Sequence, residues 1–238
     1  IKDTYLRLDK DLAELLKILN TKVGFNNVVL FITADHGVVS EPSELIKRKI
    51  PAGYFDQNIM ITELTEHLMA KYNLPSIKND ATKYISNYSN NNLFLNHEYI
   101  SNNLEFSLEE IQKECANFLL KYQWVKNTYT ATQLHENEYT NSFHSLIQRG
   151  YNQKRSGDVI VSLQTGWLKS YWKGGGTTHG SSYSYDTHVP LIFWGSKIPQ
   201  GTTDRKVNIR DIAPTISTIL GNSYPNGCTG NPLPEITE

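Results

Sequence analysis

The stretch Phe31-Ile32-Thr33-Ala34-Asp35-His36-Gly37 decides how the rest of the chain is read. Just ahead of it, Val28-Val29-Leu30-Phe31-Ile32 is an unbroken run of β-branched, aliphatic and aromatic side chains. Such a run predicts a strand buried on both faces, as in a parallel sheet. An Asp and a His follow side by side, then a Gly. In open α/β sheets, ligands bind beyond the carboxyl ends of strands. A carboxylate beside a neutral imidazole suits a divalent ion, zinc above all. The same triplet also fits a plain turn, with Asp capping the backbone and Gly taking positive φ. The stretch alone leaves both readings open.

A chain of 238 residues suffices for one large α/β domain, with or without an embedded subdomain. The formal net charge of −1 creates no field directed at nucleic acid or an anionic membrane. No apolar run approaches the length of a membrane span, and no signal-peptide pattern opens the chain. The first residue is Ile rather than Met, which reads as the start of a fragment or a processed piece. Cys115 and Cys228 form no Cys-x-x-Cys motif; two free thiols and one disulfide both fit.

Tyr5, Leu8, Leu12, Leu15, Leu16 and Leu19 recur at helical spacing and predict an amphipathic helix over 3–20. With the strand that follows, it makes a helix-to-strand unit of a doubly wound sheet. A loop near the site, with room for a short helix inside it, is expected over 38–53 and a second helix over 58–73. From Ile77 to Asn103, short apolar runs set among Asn, Ser and Tyr predict one or two strands joined at Ser89-Asn90-Asn91-Asn92. Ser107 and Glu110 have capping-box spacing and start a helix, with a β-prone piece over Val125–Thr132 after it. This order predicts a small inserted α+β subdomain over residues 75–150, ending in a helix that closes near Gly150. His67, His97, His135 and His144 are read here as surface or structural histidines.

Gly157 to Leu163 predicts another strand. Lys173-Gly174-Gly175-Gly176-Thr177-Thr178-His179-Gly180-Ser181 predicts an unconstrained loop able to wrap a ligand. It lacks the Gly-Lys-Ser/Thr order of a phosphate-binding P-loop. Val189 to Trp194 predicts a buried strand, preceded by Asp186 and His188. A short strand over Arg205–Ile209, a helix over Asp211–Leu220 closed by Gly221, and an extended tail from Asn222 complete the chain.

Three motifs together resemble the alkaline phosphatase superfamily, in particular bacterial alkaline phosphatase-like members of the type I phosphodiesterase/nucleotide pyrophosphatase group. They are Thr33-Ala34-Asp35-His36-Gly37; Thr178-His179-Gly180-Ser181 with Tyr185-Asp186-Thr187-His188-Val189-Pro190-Leu191; and Val207-Asn208-Ile209-Arg210-Asp211-Ile212-Ala213-Pro214-Thr215-Ile216 with Leu220-Gly221. The resemblance covers about residues 1–50 and 155–230, and the middle looks like the family's variable insertion. It implies an α/β fold, an alkaline phosphatase-like sandwich whose mostly parallel central sheet is flanked by helices. It implies hydrolysis of phosphate monoesters through a two-zinc site and a covalent phospho-enzyme. Asp35 and His36 match ligands of one zinc and His179 a ligand of the other. His188 and Asp186 match no ligand and are expected either to be structural or to support the site from behind.

The family's nucleophile and remaining ligands stand upstream of the Asp-His pair, where this chain has no room for them. The chain is therefore expected to be the C-terminal half of such an enzyme, with no catalytic nucleophile of its own. Its partners would be a small phosphate ester substrate and the N-terminal half of the same protein, with no nucleic acid and no membrane insertion. The resemblance also implies a periplasmic or cell-envelope location. Two other readings remain: a phosphodiesterase, nucleotide pyrophosphatase or sulfatase of the same superfamily, or a non-catalytic fragment.

Overall fold

The computed structural model describes residues 1–75, 84–140 and 142–238. In chain order its elements are α1 (Lys2–Lys22), β1 (Val29–Thr33), α2 (Pro42–Lys47), β2 (Gly53–Phe55), α3 (Gln57–Tyr72), β3 (Ile85–Ser89), β4 (Asn92–Leu95), α4 (His97–Asn103) and α5 (Leu108–Leu119). There follow β5 (Val125–Thr130), α6 (Ala131–Glu136), α7 (Phe143–Gly150), β6 (Val159–Leu163), β7 (Trp167–Lys169), α8 (Ser184–Thr187), β8 (Leu191–Gly195), α9 (Ile212–Leu220) and α10 (Pro234–Thr237). The class is α/β, as the sequence implies. Among the described residues the pairing is mixed: β2 and β7 are parallel, β1 and β8 antiparallel, and a third sheet runs β3-β4-β6-β5, antiparallel throughout.

Two compact units result, Ile1–Ala34 with Pro190–Glu238, and Asp35–Val189. In the first, Val29 to Thr33 pair with Gly195 to Leu191. The expectation of a strand buried on both faces is corrected here. Phe31 is 41% and Ile32 37% exposed. The apolar run dictates a strand, but burial requires layers on both faces, and composition cannot supply them. Likewise α1 forms as its periodicity predicts, yet it buries no residue, and Tyr5, Leu8, Leu15 and Ile18 stay exposed. The expected strand over Arg205–Ile209 is absent; the backbone there is irregular and ends in a 3₁₀ turn at Ile209–Asp211. In that turn Asp211 accepts from Asn208 N–H (2.8 Å) and Asn231 N–H (3.0 Å), gathering the segment toward α9 rather than into a sheet. Gly221 closes α9 in the left-handed conformation, φ 67°. The tail expected to be extended ends in the short helix α10.

The core sits in the second unit. Met60, Leu64 and Leu68 of α3 and Ile111, Cys115 and Leu119 of α5 are buried at helical spacing. They meet Leu93, Leu95, Val159 and Val161 from the four-stranded sheet. The Ser107–Glu110 capping box starts α5, and Asp56 caps α3 by accepting from Asn58 N–H at 2.8 Å. The turn at Asn90-Asn91 carries positive φ at both residues, 46° and 59°, the requirement of a tight hairpin met by asparagine. The part of the expected strand region over 77–83 lies outside the described residues. Cys115 and Cys228 are both free thiols, and burial pushes the Cys115 thiol well up.

Candidate metal centre

All five residues singled out from the sequence lie in the Asp35–Val189 unit. Asp35 follows β1 by two residues, beyond the last strand carbonyl. One carboxylate oxygen, Oδ1, accepts the His36 backbone N–H at 3.0 Å. That bond holds the side chain against its own backbone and leaves Oδ2 free in a group that is 88% exposed. Nδ1 of His36 lies 2.9 Å from the Gly37 carbonyl oxygen. A carbonyl can only accept, so Nδ1 carries a proton, and in the neutral ring Nε2 presents a lone pair. This is the arrangement of a metal-ligating histidine, whose second nitrogen donates to a fixed acceptor.

Asp35 Oδ2 and His36 Nε2 are 3.5 Å apart. Two donors each about 2.0–2.1 Å from a tetrahedral ion are separated by roughly 3.3 Å. The pair therefore suits one zinc ion in both donor type and spacing. The His179 ring lies against the His36 ring, with centroids 3.4 Å apart and planes 19° from parallel. Imidazole lone pairs lie in the ring plane, and those of two stacked rings do not meet at one point. His179 is thus placed beside the pair without serving the same ion. Among the described residues no group of three or more His, Cys, Asp or Glu could hold a metal ion. The donors fit zinc in kind but do not complete a site by themselves.

Two segments carry these side chains, and backbone bonds hold them together. Gly37 N–H donates to the Asp186 carbonyl at 2.8 Å, and Val39 N–H to the Thr178 carbonyl at 3.3 Å. Thr177 Oγ1 donates to the Val39 carbonyl. Gly37 is glycine for a steric reason: a Cβ there would lie 2.0 Å from the Tyr185 carbonyl oxygen. Asp186 is buried, and its Oδ2 accepts from Ser181 N–H at 2.7 Å and Ser181 Oγ at 2.6 Å. Burial, with the Asp186 carboxylate nearby, pushes the Tyr185 phenol up against the pull of Ser181. His188 caps the short helix α8 through its backbone and is exposed.

Ser181 has no assigned role in the sequence reading, and Gly37 figures there only as a turn glycine of positive φ, a conformation it does not adopt. The signals available were a glycine directly after the Asp-His pair and a serine five residues before a buried aspartate. Three of the four remaining histidines are engaged elsewhere. His67 contacts Glu114 at 2.5 Å, His97 contacts Asp158 at 2.8 Å, and His144 contacts the Tyr129 hydroxyl at 2.7 Å. A cavity of about 700 Å³ is lined by His97, Gln112, His135, Lys154 and Asp158 among others, and by none of the five site candidates. It is open and already satisfied internally, because Asp158 accepts from Leu95 N–H, His97 and Gln112.

Residues 1–184 match the family model described as type I phosphodiesterase / nucleotide pyrophosphatase. The chain belongs to this family. Among its relatives, a protein of Myroides odoratus named calcium-transporting ATPase is 36% identical over 238 residues, covering 100% of this chain and 42% of its own length. Alkaline phosphatase PafA of Elizabethkingia meningoseptica is 32% identical over 236 residues, covering 99% of this chain and 41% of its own length. The crystal structure of wild-type PafA superposes with a TM-score of 0.87 at 31% identity, over 100% of this chain and 44% of PafA. This phosphodiesterase-family chain thus spans about two-fifths of the length of these relatives, and over the shared part its fold is that of PafA.

Proposed function

We propose that this chain supplies part of the metal-binding face of a zinc-dependent phosphatase that hydrolyses phosphate monoesters. The observation that carries the reading is the 3.5 Å spacing of Asp35 Oδ2 and His36 Nε2, with His179 stacked alongside. Asp35 and His36 would hold one zinc and His179 the other. When bound, a pair of such ions supplies Lewis-acid stabilisation of the charge on a transferring phosphoryl group. The chain's own residues present the donors: Nδ1–H of His36 is committed to Gly37, which leaves Nε2 as the nitrogen that would face an ion. The catalytic nucleophile, which would form the phospho-enzyme, and the remaining ligands are assigned to residues outside this chain.

Support comes from the family membership and from two relatives whose names share phosphoryl chemistry, an alkaline phosphatase and an ATPase. The exposed apolar stripe of α1 and the open faces of Phe31 and Ile32 offer surface for the N-terminal half of the same protein. On this reading residues 75–150 are an insertion in the phosphatase domain, His188 supports the site from behind, and the protein works in the periplasm or cell envelope. The substrate is a small phosphate ester. Among the described residues no helix is long and apolar enough to cross a membrane.

The test is hydrolysis of p-nitrophenyl phosphate and of bis-p-nitrophenyl phosphate by the full-length protein, after chelation and after zinc is returned. Zinc-restored turnover that favours the monoester supports the proposal. Preference for the diester supports the phosphodiesterase reading, which the family model's description favours. Full activity in the chelated protein contradicts both.

A further inference from the structure

The Asp186 carboxylate is 4% exposed, yet only one of its oxygens is used. Oδ2 takes both Ser181 donors, while Oδ1 is buried and has no hydrogen-bond partner among the described residues. Burying a charge with an unsatisfied oxygen is costly, and local rules are broken in this way mainly at functional sites. The backbone of the same residue accepts from Gly37 N–H. Gly37 directly follows His36, and Ser181 stands two residues after His179. One residue thus ties both segments within two positions of their metal-site donors.

We propose that Asp186 is a positioning residue that braces the Asp35–His36 segment against the His179 segment and so sets the spacing between the two halves of the metal-binding face. The proposal deepens the metal-site reading given above and rests on it for its functional meaning. The side chain grips the His179 segment through Ser181, and the carbonyl grips the His36 segment through Gly37. The two grips share one Cα. The Val39–Thr178 and Thr177–Val39 bonds also join the segments, beside His179 on one side and three positions beyond His36 on the other, so loss of the Asp186 side chain loosens the site without separating it. The charge matters because two donors converge on a single oxygen, and charge-assisted bonds of this kind are roughly twice as strong as neutral ones.

The experiment uses the full-length protein with 13C-labelled histidine, as wild type and as Asp186→Asn, Asp186→Ala and Ser181→Ala. Stacked imidazoles shift one another's ring-proton resonances, which reports the His36–His179 contact in the metal-free protein. Cobalt titration reports the metal site through its visible spectrum and affinity. The brace predicts that Asp186→Ala loses the stacking shift, alters the cobalt spectrum and weakens cobalt binding about 10–100-fold, the usual cost of losing a group that orients a ligand. Asp186→Asn and Ser181→Ala should fall between, and they carry the test if Asp186→Ala does not fold. A lower melting temperature with stacking shift and cobalt spectrum unchanged would reduce Asp186 to a fold residue and overturn the proposal. If the wild type takes up no cobalt but stacking still depends on Asp186, the brace stands and the metal reading fails.

Discussion

His36 and His179, 143 positions apart in sequence, stack ring on ring at a centroid distance of 3.4 Å. Asp35 lies on the His36 side of this contact, with Oδ2 3.5 Å from Nε2. On the proposed reading, Asp35 and His36 are donors to one ion and His179 a donor to another. Asp35→Ala and His36→Ala in the full-length protein should therefore each remove the same zinc. The double variant should lose little more than either single one, because residues acting as a unit are not additive. Metal analysis and turnover of the three variants check this; fully additive losses would contradict it.

Gly37→Ala should be damaging for its size. The added Cβ would lie 2.0 Å from the Tyr185 carbonyl oxygen, a backbone atom that cannot swing aside. Relieving the clash moves the Gly37–Asp186 bond and with it the His36 segment. We expect roughly 1–3 kcal/mol of destabilisation, the range for forced overpacking. Zinc affinity should fall as well. Urea unfolding of the zinc-free and zinc-loaded forms separates the two effects.

Leu119→Ala tests the core of the Asp35–Val189 unit. Leu119 is fully buried at the end of α5, within the cluster that includes Leu64 and Val161. The expected loss is about 2–5 kcal/mol in chemical denaturation. Donor spacing at Asp35 and His36 does not depend on α5, so zinc stoichiometry in the folded fraction should be unchanged.

How much of this was legible in the sequence follows the range of the forces. Local signals read correctly: the helical period of α3 and α5, the Ser107–Glu110 box, the Asn90-Asn91 turn and the glycine after α9 each act within a few residues. The closeness of the Asp35 and His36 side chains was legible because adjacency puts them together whatever the fold. What failed depended on distant partners. The run before Asp35 dictated a strand but not its burial, since that requires layers on both faces. The segment 205–209 looked β-prone, but Asp211 draws it into a turn. The strands β2 and β7, three residues each, are too short to show a period. Ser181 could not be seen as a partner of Asp186 before the loop was folded.

The Arg205–Glu235 pair gives a pH prediction. The Arg205 guanidinium donates to both Glu235 oxygens at 2.5 Å and holds that carboxyl down to about 2. A carboxyl with a depressed folded value contributes stability above its unfolded value, near 4.5, and loses it as pH falls toward 2. The pair is on the surface, so the contribution is small and screened by salt. Glu235→Gln should lower the denaturation midpoint slightly at neutral pH, flatten its fall between about pH 5 and 2, and meet the wild-type value near pH 2. A steeper acid limb in the variant would contradict the assignment.

The most direct test of the central claim is the zinc content of purified full-length protein, measured for wild type and for His179→Ala. The account predicts about two zinc ions per chain in the wild type and about one in the variant, because the Asp35–His36 ion does not need His179. A wild type that holds no zinc, or a His179→Ala variant that keeps both ions, would contradict it.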